Sequence, residues 1–98
     1  VILEWLPRAR AARTAAIEYI AKDNPRAALA QLDEIERQIT MLIQHPEMGR
    51  PGRLKGTREL VIRHTAFIVI YRTKPRAKRI ELLHFIHGAQ QWSSVKMP

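Results

Sequence analysis

His87 stands immediately before Gly88, and an imidazole at an accessible strand end can take or give a proton near neutral pH. The plain alternative is a structural histidine bonded to backbone. Arg58, Arg63 and Arg72 bracket two apolar runs, and a guanidinium fork can hold two oxygens of a phosphate or carboxylate at once. A solvated strand end would explain them equally well. His84 and His87 are three apart, which on a strand places them on opposite faces, so they do not share a metal. His45 and His64 are isolated, and no metal is expected. There is no Gly-rich phosphate loop, nucleophile elbow or paired-carboxylate motif, and no cofactor is expected. Zero cysteines remove thiol nucleophiles and disulfides, which fits a reducing cytosol.

Charge supplies the stronger signal. The 98 residues carry 17 Lys and Arg against 9 Asp and Glu, a net of +8. Residues 1–49 hold six basic and seven acidic side chains; residues 50–98 hold eleven basic and only Glu59 and Glu81. The basic runs are Arg50-Arg53-Lys55-Arg58 and Arg72-Lys74-Arg76-Lys78-Arg79. A field of one sign draws a polyanion or an acidic protein to one surface. Arg50, Arg53, Lys55, Arg63, Arg76 and Arg79 are the candidate contacts for such a target. A surface serving only solubility would mix the signs. Trp5 and Trp92 read as packing residues, and so few aromatics argue against a sequence-specific reader of single-stranded RNA.

The elements that position these groups follow from periodicity. A hydrophobic content of 46% with 27% charged residues is too apolar for disorder, and the length allows one domain. No apolar run approaches the ~20 residues of a membrane helix, and no signal-peptide pattern opens the chain. Val1 to Trp5 reads as a strand stopped by Pro7. Arg8 to Lys22 is Ala-rich and helical, with a thin stripe of Ala9, Ala12, Ala16, Ile17 and Ile20. Asn24-Pro25 is a cap followed by a first-turn proline, and opens a second helix to about His45. Ala28, Leu32, Ile35, Ile39 and Leu42 form its apolar face, widened by Leu29 and Ile43. Residues 46–57 read as loop. Arg58 to Arg63, Phe67 to Arg72 and Arg79 to His87 are strands with short connections, hence antiparallel neighbours. Gly88 ends the last strand; residues 1–92 make a single domain and 93–98 a C-terminal tail.

The predicted fold is α+β, in the order β-α-α-β-β-β: a helical hairpin packed on one face of a mostly antiparallel sheet, with the other face free for a partner. The thin face at Ile17 and Ile20 offers a groove for an amphipathic partner helix, and an open sheet edge could accept a strand.

Five strings, in order, carry a resemblance. They are Tyr19-Ile20-Ala21-Lys22-Asp23-Asn24-Pro25, His45-Pro46-Glu47-Met48-Gly49-Arg50-Pro51-Gly52, Gly56-Thr57-Arg58-Glu59-Leu60, Ile68-Val69-Ile70-Tyr71-Arg72 and His87-Gly88-Ala89-Gln90-Gln91-Trp92. With the order of elements, they resemble the RelE/ParE superfamily of bacterial type II toxins, on the ParE-like side. The resemblance implies a small cytoplasmic toxin that inhibits growth, of the kind tied to plasmid stabilization. It also implies a hetero-oligomer with a cognate antitoxin encoded beside it, whose C-terminal segment wraps the toxin, here at Ile17 and Ile20. ParE-like members act on DNA gyrase. Nuclease members cut mRNA on the ribosome without a metal. On that alternative His87, which matches a frequent catalytic histidine position, would be the acid or base, with Arg72 and Arg58 for the phosphate. Phe67-Ile68 stands where the nuclease branch often has an arginine, which weighs against ribonuclease activity. Arg13 stands where the first helix often has a large aliphatic residue, which would thin the contact between helices.

Overall fold

The computed structural model describes residues 1–88. Two prolines set its helical half. β1, Ile2–Trp5, ends two residues before Pro7, which opens α1, Pro7–Asp23; extended Leu6 precedes it without a side-chain cap. Asn24 serves two helices. Its N–H bonds Ile20 O at 2.9 Å, and its Oδ1 accepts the Ala27 N–H at 3.0 Å. Pro25 then starts α2, Pro25–Thr40. The chain tightens into a 3₁₀ turn over Met41–Ile43, so the α-helix stops short of the predicted His45, although Leu42 stays fully buried. Ala28, Ile35 and Ile39 are buried as predicted. Leu29 and Ile43 are not part of the stripe: Leu29 is 64% exposed, because the helix meets the sheet only along its narrow face.

The β half holds β2, Arg50–Pro51, β3, Arg58–Val61, β4, Phe67–Lys74, and β5, Arg79–His87. The order across the sheet is β1-β5-β4-β3-β2; β1 runs parallel to β5 and the other pairs are antiparallel. The two-residue β2 lies within the segment read as loop. Pro51 obscured it, and a proline fits an edge strand, where its missing N–H costs no ladder bond. β4 outruns its predicted end by two residues before the 3₁₀ turn Pro75–Ala77. The tail, and Trp92 with it, lies outside the described residues.

The helices cover one face of the sheet. Ala9, Ile35, Ile39 and Leu42 pack on Leu60, Val69, Tyr71, Leu82 and Phe85. Phe67 and Phe85 stack with centroids 4.8 Å apart, and Trp5 sits 6.2 Å from Phe85, which makes Trp5 a packing residue. The opposite face is not free at its centre, contrary to expectation. Ile70, Leu83 and Ile86 are buried there, with Leu6 and Ile68 against them. A register shift at Ile70/Tyr71 leaves Leu83 as an extra residue, since Ile70 pairs with His84 and Tyr71 with Leu82. Arg13 does not thin the helix pair. Its guanidinium bonds Glu36 Oε1 on α2 at 3.1 Å and lies 4.5 Å over the Trp5 ring.

Candidate functional site

The sheet register separates the residues read as an acid/base and phosphate set. His87 pairs with Phe67 at one end of β4, while Arg72 pairs with Glu81 five residues along the same strand, about 17 Å away at the usual strand rise. Arg58 pairs with Tyr71 and shares its helix-covered face; Arg72 points to the other. Each group has a local role. Arg58 donates to Gly49 O at 2.8 Å and to Glu47 O at 3.4 Å. Arg72 Nε donates to Glu81 Oε1 at 2.7 Å. His87 is exposed, with its ring edge-on to Phe67 at 5.9 Å. His84 faces the other way, with Ile70, as the spacing predicts.

The only two acidic residues of the second half are counter-ions inside the cationic sheet. Glu59 is 2% exposed; it accepts from Arg50 Nε at 3.0 Å and from the Arg53 backbone N–H at 3.3 Å. The Glu81 carboxylate also lies 3.2 Å from Arg79 NH2, and Arg79 Nε is 3.3 Å from Glu4 Oε1. The hydrogen bond from Arg72 outweighs burial and holds the Glu81 carboxyl below its ordinary range. Sequence reasoning did not find this role. The available signal was an acid at a strand position inside two otherwise cationic apolar runs. A buried charge there needs a partner, and both sets of arginines lie within reach.

Arg50 and Arg79 are thus engaged within the sheet. Arg63 lies at the far end, where its backbone N–H and C=O are held by Gln38 at 2.8 and 2.9 Å. Arg53 and Lys55 lie on the turn between β2 and β3, and Arg76 on the turn between β4 and β5. The segment leading into β2, residues 46–49, is clasped by Tyr71. Its O–H donates to Pro46 O at 2.8 Å and accepts the Gly49 N–H at 2.9 Å, and burial pushes the phenol pKa up.

A groove of about 880 Å³ opens beside α1. Ala12, Ala15, Ala16, Tyr19 and Ile20 form one wall; Phe67, Phe85, His87 and the turn at His64 form the other. Tyr19 is 73% exposed. Ile17 and Ile20 both pack, partly buried, against the core, and only Ile20 of the two also lines the groove. His64 holds a left-handed backbone, with φ of 67°, at the turn into β4. Among the described residues no three His, Cys, Asp or Glu side chains gather as a metal site, and no helix is long and apolar enough to cross a membrane.

Residues 3–92 match the family model described as ParE toxin of type II toxin-antitoxin system, parDE. The chain belongs to the ParE toxin family. A relative named "Putative toxin Y4kP", from Sinorhizobium fredii (strain NBRC 101917 / NGR234), is 40% identical over 77 residues, covering 79% of this chain and 77% of that one. A solved structure, "Chromosomal ParDE TA system from P. aeruginosa", superposes with a TM-score of 0.77 at 26% identity, over 89% of this chain and 95% of the other. This ParE toxin is therefore the toxin component of a type II toxin-antitoxin system, and its family implies an antitoxin partner. In the ParE toxin the two helices and five-stranded sheet leave the groove beside α1 and the cationic turns at opposite ends of β4.

Proposed function

We propose that this ParE toxin inhibits growth by binding DNA gyrase rather than by cutting RNA, and that its antitoxin neutralises it from the groove beside α1. The separation of His87 from Arg72 and Arg58 carries the first part. A metal-free nuclease needs its base and its phosphate-binding cations on one scissile group, within a few ångströms. Here the histidine lies about five strand residues from one arginine, and the two arginines occupy opposite faces. Both guanidiniums already bond protein oxygens. A surface that binds a protein target has no need of that convergence.

The second part rests on the groove. Its α1 wall is mostly alanine, so an amphipathic helix can approach closely, with Tyr19 and Ile20 as apolar contacts. Controlled expression in cells tests the function. Growth should stop with transcripts intact and plasmid DNA relaxed. Transcripts cut within ribosomes, with normal supercoiling, would reject the proposal.

A further inference from the structure

The two hairpins that end at the Tyr71 side of the sheet turn at the same place. β3 and β4 are antiparallel, so the β2–β3 turn and the β4–β5 turn project from one end, and the β3–β4 turn projects from the other. The first tip carries Lys55; the second carries Lys74, Arg76 and Lys78. All four side chains belong to exposed residues, and none forms an ion pair among the described residues. The tips are centred about two strand spacings apart, roughly 10 Å, so their charges form one patch. The acids nearest in the sheet, Glu59 and Glu81, are buried and already held by Arg50, Arg72 and Arg79. Two exposed carboxylates lie close to this end: Glu47, before β2, and Glu4 on β1, which is already held by Arg79.

We infer that these paired tips bind the sugar-phosphate backbone of duplex nucleic acid without reading its sequence. This goes beyond the toxin reading and does not depend on it. Protein interfaces centre on apolar and aromatic anchors and are depleted in lysine. Neither turn, 52–57 or 73–78, itself carries an exposed large apolar side chain, although exposed Ile2 lies beside the second with its N–H on Lys78 O, and three of the four charges are lysines. Single-strand binding needs aromatic platforms, and no aromatic residue lies between 52 and 57 or between 73 and 78. Exposed cations alone suit phosphates on a rigid duplex.

Fluorescence anisotropy with the full chain and a labelled 20-base-pair duplex tests this across a KCl series. Four phosphate contacts give a slope of log K against log salt near about −3.6. Lys55→Gln with Arg76→Gln, one charge from each tip, should bring the slope to about −1.8 and weaken binding about tenfold or more at low salt. Lys22→Gln with Arg26→Gln removes the same charge from the helical turn at the opposite end and should leave the slope unchanged. Circular dichroism of both variants checks that each is folded. Equal weakening by the two pairs would overturn the inference, as would absence of duplex binding at low salt. Tighter binding to a single strand, or to an acidic peptide of equal charge, would overturn it as well.

Discussion

Removing one hydroxyl should loosen the segment that leads into β2. In Tyr71→Phe the Pro46 carbonyl loses its donor at 2.8 Å and the buried Gly49 N–H loses its acceptor at 2.9 Å. Phenylalanine keeps the ring, so the core contacts with Leu60 and Val69 remain and only the two hydrogen bonds are withdrawn. At about 0.5–1.5 kcal/mol each, the cost is about 1–3 kcal/mol. For a domain of this size that lowers the melting temperature by about 5 °C or more. Gly49→Ala attacks the same clasp from the other side. A Cβ there would meet Tyr71 Cε1 at 2.7 Å and Glu59 O at 2.9 Å, and the backbone at Glu59 cannot yield cheaply. Overpacking of that kind costs about 1–3 kcal/mol. Because both changes act on one contact, the double variant should lose measurably less than the summed losses of the single ones. Urea denaturation followed by far-UV circular dichroism measures all three. A loss below about 0.5 kcal/mol in Tyr71→Phe, or strict additivity in the double variant, would refute the clasp as the device that holds residues 46–49.

Other outcomes follow from the same geometry. His84 is 3% exposed and its Nε2 has no hydrogen-bond partner among the described residues; burial first, and the charge of Arg8 second, push its pKa below the ordinary value. The unfolded chain then binds the proton more readily. Stability should fall as pH drops below about 6.5, and His84→Leu should flatten that part of a pH–stability profile. Glu81 has a depressed pKa, so its stabilisation is present above about pH 4.5 and is lost as pH falls through the folded value; Glu81→Gln should remove that acid limb in urea titrations. Arg13→Ala should cost about 0.5–1.5 kcal/mol in thermal melts, since it removes both the Glu36 contact and the stacking on Trp5. Ala15→Glu in the groove wall should abolish co-purification with the antitoxin while growth inhibition persists.

Residue pattern alone disclosed most of the architecture. Asn24-Pro25 marks the helical turn because one side chain and one fixed φ do the work locally. The three long strands are readable because branched and aromatic residues alternate with short turns. What escaped is set by contacts distant in sequence. β2 exists because Arg50 and Pro51 pair with Glu59 and Arg58, which a loop-rich composition conceals. The buried roles of Glu59 and Glu81 depend on which arginines the register brings beside them. The distance between His87 and Arg72 likewise belongs to β4, since no local string reports where along a partner strand a residue lands.

Gyrase supercoiling of relaxed plasmid, with purified toxin added, is the most direct test of the account. Supercoiling should stop with the native chain, stop equally with His87→Ala, and resume when antitoxin is supplied. Gyrase unaffected by the toxin, together with ribosome-bound mRNA cut by the native chain and spared by His87→Ala, would contradict it.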